Sequence, residues 1–358
     1  MTRFAKVTHV YFIEEALTRG DDTSLEVSIV APNLFRLVPH LREGLTEDEQ
    51  VTHQKELLAR FFIEHDITQY IFWYYSPMAL AVSDHFNPAL VVYDCMVDLA
   101  SFRFSPPSVR DREMELMRKA DLVFTGGQSL YEARKNRHPD VHVIPGSVDA
   151  EHFRQGRMHM EEPHDQERIP HPRIGFFGVI DERIDYVLLE QVARRKPQWH
   201  FVMVGPVAKG MYNALPKLPN IHWLGMKHYD ELPSYTAGWD LAMLPYAHNQ
   251  ATRYVNPNKM PEYLAGGKPV IATPITDVLR QYGRNGLVNI AGTPEEFIRV
   301  ATAEFENHDR EEWMEKVDEW LSHQSWDTTH QRMMYHITRR LKEKERSLHD
   351  VGDKIFVS

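Results

Sequence analysis

The stretch NPNKMPEYLAGGKPVI, residues 256–271, passes from a loop into a helix and from that helix into a strand. Its Asn- and Pro-rich beginning is typical of a loop, and Asn258 is a residue type that often caps a helix. Gly266 and Gly267 then stop the helix, and Val270 opens an apolar, β-branched run typical of a buried strand. The stretch therefore predicts one helix–strand unit of an α/β sheet.

The same alternation continues in both directions along the chain. Before residue 154, strands are predicted at Val7–Ile13, Leu25–Ile29, Leu34–Val38, Ile71–Tyr74, Leu90–Tyr93, Leu122–Thr125 and Val141–Ile144. After residue 173, they are predicted at Ile174–Gly178, His200–Val204, Ile221–Leu224, Leu241–Leu244, Val270–Thr273 and Leu287–Ile290. Helical patterns lie between most of these strands. The order predicts two doubly wound, Rossmann-like α/β domains facing a central cleft, where ligands of such sheets bind.

Composition shifts divide the chain into four parts. Residues 1–153 form an N-terminal domain, and residues 154–173, which are charged and almost free of aliphatic side chains, form a linker. Residues 174–325 form a C-terminal domain, followed by a helix and tail at residues 326–358. The basic end of that helix suits an anionic membrane surface, whereas its interspersed acidic residues favour a solvated face.

The overall composition excludes several classes of protein. A length of 358 residues fits about two domains, and 42% hydrophobic residues exclude a largely disordered chain. Lys and Arg total 41 against 51 Asp and Glu, so the net charge is −10 and nucleic acid is not an expected partner. One cysteine, Cys95, excludes an intramolecular disulfide. With no apolar run of roughly 20 residues, we expect a soluble cytoplasmic protein.

Several catalytic motifs do not occur in the sequence. It contains no Gly-x-Gly-x-x-Gly, no Walker lysine loop, no Gly-x-Ser-x-Gly and no His-Glu-x-x-His. Asp94 and Asp98 follow a buried strand, but their spacing differs from the Asp-x-Asp pattern by which a divalent metal holds a nucleoside diphosphate. We therefore predict no metal site.

The predicted helix after Asn258 has an unusual charge in its first turn. Lys259 opposes the helix macrodipole there, which makes sense if a diphosphate occupies the site. Glu262 lies on nearly the same helical face and is placed to accept hydrogen bonds from ribose hydroxyls. The alternative is a plain capping arrangement of Asn258 and Glu262.

A second segment, GFFGVIDERID at residues 175–185, leads from a strand into a helix. Gly178 lets a ligand approach the backbone closely. Arg183 can fork onto a phosphate in the cleft. The alternative is that Arg183 forms an ordinary surface ion pair with Glu182 or Asp185.

These segments and their order resemble one family over nearly the whole chain. Further resemblance lies in Leu90–Met96, Ala120–Gly127, Ile144–Asp149 and Asn220–Gly225. The chain resembles nucleotide-sugar-dependent glycosyltransferases of the GT-B fold, in the retaining family-four group, and in particular those that build bacterial surface polysaccharides. The resemblance implies a C-terminal helix that returns to the N-terminal domain.

The resemblance also implies roles for individual residues. Arg183 and Lys259 would bind the diphosphate, Glu262 would hold the ribose, and Gly178 would leave room near the phosphates. Met226, after Gly225, would lie against the base. The co-substrate would be a UDP- or GDP-sugar, the acceptor a saccharide or lipid-linked molecule, and neither a cofactor nor a metal would be needed.

The chain departs from the family pattern in its paired glutamates. Tyr254 stands eight residues before Glu262, where many members have a glutamate that contacts the transferred sugar. Arg253 or Asn249 is a candidate to replace that contact. In the N-terminal domain, Asp94 and Asp98 are the candidate catalytic residues, with plain helix caps as the alternative.

The beginning of the chain also departs from the family pattern. Met1–Lys6 is similar to the end of the first helix of the N-domain, and Val7–Ile13 to its second strand, so we expect a late start with an interior strand missing. The alternative is that Val7–Ile13 is the first strand of a divergent domain. Two other functions remain open: a nucleotide-sugar epimerase of the same fold, and a truncated or binding-only relative without transferase activity.

Overall fold

The structure, a computed structural model, describes residues 1–158 and 160–352, with side chains up to residue 346. The tail predicted after residue 352 lies outside the described residues. The N-terminal half contains strands β1 Val10–Ile13, β2 Leu17–Thr18, β3 Ser24–Ala31, β4 Leu34–Leu41, β5 Ile71–Tyr74, β6 Leu90–Cys95, β7 Leu122–Thr125 and β8 Val141–Val143. Its helices are α1 Glu47–Glu64, α2 Leu80–Ser83, α3 Ser108–Lys119 and α4 Gln128–Arg134.

The chain then crosses into the second half. Helices α5 Ala150–Arg154 and α6 His164–Glu167 lie at the crossing. The strands that follow are β9 Arg173–Phe177, β10 His200–Val204, β11 Ile221–Gly225, β12 Leu241–Leu244, β13 Val270–Ala272 and β14 Asn289–Ile290. The remaining helices are α7 Tyr186–Arg195, α8 Leu232–Ala237, α9 Lys259–Ala265, α10 Thr276–Val278, α11 Pro294–Glu306, α12 Glu311–Ser322 and α13 Trp326–Gly352.

The C-terminal domain is built on one parallel sheet. Its strand order is β11-β10-β9-β12-β13-β14, the order of a Rossmann-like doubly wound sheet. Every residue of β9, β12 and β13 is buried, because helices cover both faces of the sheet. The carboxyl ends of these strands form the edge at which the candidate site lies.

The N-terminal domain has its strands in two sheets. Strands β5, β6, β7 and β8 form a parallel sheet, while β1, β4 and β2 are parallel in a second sheet, with β3 antiparallel to β4. Strands β3 and β4 are joined through Pro32 and Asn33, a two-residue hairpin in which Asn33 has a φ of 59°. Such a short connection leaves no room for a crossover helix, so this part of the domain differs from a purely parallel arrangement.

Helix α1 joins these two sheets. Its Phe61 ring packs 5.3 Å from Tyr11 of β1, and its Phe62 ring packs 6.2 Å from Phe72 of β5. A capping box of Thr46 and Glu49 fixes the beginning of the helix. At the start of the chain, the structure has a 3₁₀ turn at Phe4–Lys6 rather than the end of an α-helix.

The last helix returns to the N-terminal domain, as predicted. Ile337 is buried in a cluster with strand residues Leu90, Val92, Leu122 and Phe124. Arg339 pairs with Asp140, and Lys344 pairs with Asp121, at 2.6 and 2.8 Å. These basic side chains of the helix are thus bound to carboxylates of the N-terminal domain. Among the described residues, no helix combines the length and apolar character needed to cross a membrane.

The segment predicted as a linker is attached to the C-terminal domain. Arg157 forms a two-pronged ion pair with Asp318 and donates to the carbonyl of Ala265. Arg173, almost fully buried, pairs with Glu162 at 2.8 Å. The histidines, prolines and charges that predicted a solvated linker therefore include residues with defined partners.

Docking of α13 can be tested through Ile337. We expect Ile337→Ala to lower the free energy of unfolding by about 2–4 kcal/mol, because it leaves a cavity under the returning helix. Chemical unfolding followed by tryptophan fluorescence measures the change. Tyr335→Ala is the matched control, since this side chain of the same helix is 67% exposed. An equal loss in both variants would contradict the docking.

Candidate active site

The two domains contact each other where the carboxyl ends of their strands meet. Asp277, just after β13, accepts hydrogen bonds from the backbone and hydroxyl of Ser129 in α4, at 3.1 and 2.8 Å. Asn256 donates to the carbonyl of Gly126, just after β7. Ligands of open α/β sheets bind along such edges. The arrangement places a cleft between the two domains.

Gly178 and Lys259 touch in this cleft. Gly178 follows β9 with a φ of 136°, and a Cβ added there would lie 1.9 Å from Cε of Lys259. Only glycine fits such a backbone and such a close side chain. The ammonium group of Lys259 lies over the ring of Phe176 and forms no ion pair within the described part of the chain. Lys259 is therefore a cation without an ion-pair partner among the described residues, next to a backbone that carries no side chain.

Arg183 is held in place by Asp181, a residue that the sequence reasoning did not identify. Its Nε and Nη2 atoms donate to the Asp181 carboxylate, the closest contact being 2.6 Å. The residues first considered as partners have other contacts: Glu182 accepts from the backbone of Arg103, and Asp185 caps α7. This pairing leaves Nη1 of Arg183 without a hydrogen bond to any described residue.

The two cations lie on neighbouring rings. Arg183 lies 5.8 Å from the ring centre of Tyr246, and Lys259 lies 5.9 Å from that of Phe176. The two ring centres are 6.5 Å apart. Phe102 of the N-terminal domain also lies against Arg183, at 5.7 Å. Arg183 and Lys259 thus lie against two rings that contact each other, Tyr246 and Phe176, and their joint binding of one anion stays a prediction.

Glu262 lies one turn of α9 beyond Lys259. Burial raises the pKa of its carboxyl to about 7, although the charge of Lys259 opposes the shift. The carboxyl forms no hydrogen bond to a described residue. Burial raises the pKa of nearby Tyr229 to about 12, and the charge of Glu262 adds to that shift. Glu262 is only half-buried, so its carboxyl is open to accept hydrogen bonds from a ligand.

Asn258 contacts the N-terminal domain, whereas Met226 is largely exposed. Asn258 occupies the predicted cap position of α9, but its side chain makes no capping hydrogen bond, which contradicts the capping arrangement considered as the alternative. Its side chain instead lies against Gly146, where an added Cβ would be 2.0 Å from its Oδ1. Met226 is 75% exposed. Three residues further on, Tyr229 stacks on His152 with their ring centres 4.3 Å apart.

Comparison with known proteins bears on the fold and the C-terminal domain. Residues 171–307 match the family model of group 1 glycosyl transferases. The chain is 28% identical over 218 residues to the putative teichuronic acid biosynthesis glycosyltransferase TuaH of Bacillus subtilis (strain 168). That alignment covers 56% of this chain and 54% of the relative, so the match spans about half the relative's length.

Solved structures match a larger part of the chain. Sucrose-phosphate synthase from Thermosynechococcus elongatus superposes with a TM-score of 0.69 at 14% identity, over 96% of this chain and 91% of that one. Anabaena Alr3699/HepE in complex with UDP superposes with a TM-score of 0.61 at 15% identity, over 84% and 86%. The fold is GT-B. The predicted fold class is confirmed, and the C-terminal domain contains most of the stretch that matches the group 1 family model.

Asp94, a predicted catalytic residue, is buried in the N-terminal domain of this GT-B fold. It is 2% exposed and lies on the same sheet face as Val92, under the N-terminal turn. One carboxyl oxygen accepts from Trp73 at 3.2 Å, and the other has no partner among the described residues. Burial raises its pKa to about 7. Although Asp94 lies near the end of a strand, its carboxyl therefore does not face the open cleft.

Asp98, the other predicted catalytic residue, belongs to an ion-pair network. It accepts from Arg134 at 3.1 Å, and Arg134 also pairs with buried Glu113 at 2.9 Å. The Asp98 side chain makes no capping hydrogen bond either. Within residues 1–158 and 160–346, whose side chains are described, no three His, Cys, Asp or Glu side chains come together as a metal ion would require.

Tyr254 lies at the contact between the two domains. It packs against a core cluster of the N-terminal domain that contains Tyr93 and Leu130. The aromatic residue at the position of the family's first glutamate is therefore part of the contact between domains. Sequence reasoning missed this contact and that of Asp277, because their partners lie more than a hundred residues away in the chain.

The buried carboxyl of Glu262 predicts a pH-dependent stability. Its pKa is about 7 in the folded protein against roughly 4.3 in an unfolded chain, so stability falls as the pH rises between these values. We expect Glu262→Gln to match the native protein near pH 4 and to exceed its stability by up to about 3 kcal/mol above pH 7. Thermal unfolding across this range measures the difference.

Glu151→Gln serves as the control for this experiment, because the Glu151 side chain is 92% exposed. It should unfold like the native protein at each pH. A difference between Glu262→Gln and the native protein that stays constant with pH would contradict the raised pKa.

Proposed function

We propose that the protein is a glycosyltransferase that moves a sugar from a nucleoside-diphosphate sugar to a saccharide or lipid-linked acceptor. It retains the anomeric configuration, needs no metal or other cofactor, and acts in the cytoplasm. The observation that carries this proposal is the unpaired ammonium of Lys259 on the open backbone of Gly178, one helical turn from the unpartnered carboxyl of Glu262.

The diphosphate would lie between Lys259 and Arg183. Asp181 holds the Arg183 guanidinium in one orientation, which leaves Nη1 of Arg183 available to a ligand. Binding therefore costs less side-chain entropy than it would with a mobile arginine. Two fixed cations stabilise the negative charge that grows on the leaving phosphate. This is the contribution that a divalent metal makes in other transferases, which supports transfer without one.

The nucleoside would occupy the side of the cleft where Glu262 and Tyr229 face each other. Glu262, which has no hydrogen-bond partner among the described residues, would accept hydrogen bonds from the ribose hydroxyls. The loop from Met226 to Tyr229, fixed by the stacking of Tyr229 on His152, would lie against the base. The HepE structure, described as a complex with UDP, supports a uridine or a related nucleoside.

The state of Asp94 and Asp98 supports a retaining mechanism. Asp94 is buried under the N-terminal turn and Asp98 is paired with Arg134, so neither carboxylate is free in the cleft to act as a base. In retaining transfer, the leaving phosphate oxygen can itself take the proton of the acceptor hydroxyl. The acceptor oxygen then bonds to the anomeric carbon on the face from which the phosphate leaves.

The relative's name supports a polymer of sugars as the product. TuaH is described as a putative teichuronic acid biosynthesis glycosyltransferase. We infer that this chain acts in the synthesis of a surface polysaccharide, on a saccharide or lipid-linked acceptor, in peripheral contact with the membrane where the acceptor is lipid-linked.

A binding-only protein is a second candidate. The position of Tyr254 favours this candidate. Many members of the resembled family have at this position a glutamate that contacts the transferred sugar, whereas the Tyr254 side chain packs on the N-terminal domain. The two candidates differ in turnover. A transferase releases nucleoside diphosphate from its donor in the presence of a suitable acceptor, whereas a binding-only protein does not.

Titration calorimetry with UDP and with GDP tests the donor site. We expect one of them to bind the native protein and Lys259→Ala to weaken that binding by about 10–100-fold, because a charge-assisted hydrogen bond is lost. Lys217→Ala is the control, since this exposed lysine of the same domain should not affect binding. Failure of both nucleotides to bind the native protein would contradict the proposal, and binding without turnover would favour the second candidate.

A further inference from the structure

Next to the turn that carries Arg183 lies a pocket whose role the proposed donor site does not explain. Its volume is about 530 Å³, and it is lined by His248, Asn249, Gln250, Thr252, Arg253, Ile275 and Thr276. These lining residues include an arginine and a histidine but no carboxylate. In a chain with a net charge of −10, the lining thus offers one cationic side chain and several neutral hydrogen-bond donors.

The pocket is built directly onto the proposed phosphate site. The backbone N–H of Ala247 donates to the carbonyl of Arg183 at 2.7 Å, and the Asn249 side chain donates to the carbonyl of Glu182 at 2.7 Å. One wall of the pocket is thereby fixed to the Gly178–Arg183 turn. A sugar attached to a diphosphate on Arg183, or an acceptor sugar beside it, lies within reach of this pocket.

The loop that forms the pocket is held in one conformation. The backbone N–H of Asn249 donates to the hydroxyl of Thr252, and the backbone N–H of Thr252 donates back to the Asn249 side chain, both at 3.1 Å. Thr252 is 1% exposed and also donates to the carbonyl of Ala247. These hydrogen bonds fix the backbone that precedes Arg253. The position of that backbone therefore does not depend on a ligand.

The charge of Arg253 is not neutralised by a neighbouring carboxylate. Within the described residues it forms no ion pair, and its guanidinium lies 5.1 Å from the ring centre of Tyr254. Asp277 follows the pocket residue Thr276, but its carboxylate is fully buried against Ser129. The Glu182 carboxylate accepts from a backbone N–H of the N-terminal domain.

We propose that this pocket binds a negatively charged group, a carboxylate or a phosphate, of a sugar held in the cleft, with Arg253 as the principal contact and His248 beside it. A planar guanidinium forms paired hydrogen bonds with either group. The inference rests on the proposed function and narrows it, because it makes the protein selective for an acidic or phosphorylated sugar. The charged sugar is either the one on the donor or the one on the acceptor.

Two calorimetric experiments distinguish these sources. In the first, the protein is titrated with UDP, UDP-glucose and UDP-glucuronate; if only GDP binds, GDP-mannose and GDP-mannuronate replace them. In the second, glucose, glucuronate and glucose 6-phosphate are titrated with and without saturating nucleotide. We expect a preference of about tenfold or more for the charged over the neutral sugar in one of the two experiments.

The variants assign this preference to the pocket. Arg253→Gln should abolish the preference while leaving the affinity for UDP within about twofold, because the substitution lies outside the proposed phosphate contacts. Arg284→Gln is the matched control, since Arg284 is an exposed arginine without an ion pair outside the pocket, and it should keep the full preference.

The outcomes separate this inference from the proposed function. If the nucleotide binds but neither experiment shows a preference for the charged sugar, or if Arg253→Gln keeps that preference, the inference is overturned and the donor site stands. If no nucleotide binds but the charged sugars bind in preference to glucose and lose that preference in Arg253→Gln, the pocket stands and the proposed function fails.

Discussion

The fully buried carboxylate of Asp277 governs how the two domains face each other. A carboxylate removed from water is costly unless hydrogen-bond donors surround it, and here the donors are the backbone and hydroxyl of Ser129 in the other domain. Arg280 pairs with Glu132 beside it, and Tyr254 packs on the N-terminal core. Separating the domains would break these hydrogen bonds, the Arg280–Glu132 ion pair and the packing of Tyr254, so together these contacts hold the two sides of the cleft in this arrangement.

With the domains fixed in this way, the carboxyl ends of their sheets supply the two sides of the cleft. The C-terminal side has Gly178 under Lys259, Arg183 held by Asp181, and Glu262 without a partner. Most of the neighbouring carboxylates are used in structural contacts, whereas the ammonium of Lys259 is not. A protein with a net charge of −10 thus presents positive charge at one edge. This separation of roles suits the binding of a polyanion such as a nucleoside diphosphate.

The N-terminal side of the cleft does not present the carboxylates that its strand-end aspartates, Asp94 and Asp98, led us to expect. Asp94 lies under the first turn of the chain, and Asp98 balances Arg134 together with Glu113. This domain instead places the loop of Phe102 and Arg103 against the C-terminal domain. The Phe102 ring lies next to Arg183, and the backbone N–H of Arg103 donates to Glu182. Its contribution to the described cleft is therefore to shape and enclose it, while the charged groups come mainly from the C-terminal domain.

The sequence by itself determined many of the local elements and pointed to the residues of the proposed donor site. Strands β5, β7, β10 and β12 lie where the apolar periodicity predicts them, since that pattern depends on which face of each element is buried. Gly178, Lys259 and Glu262 were identifiable because glycine at a strand end and a cation in a first helical turn are locally unusual. Only the tertiary structure decided the pairing of Asp277 with Ser129, the burial of Asp94 and the packing of Tyr254 on the N-terminal domain. It also decided that Arg253 forms no ion pair with a described residue. Each of these depends on which distant segment packs against the side chain, and no local pattern of residues carries that information.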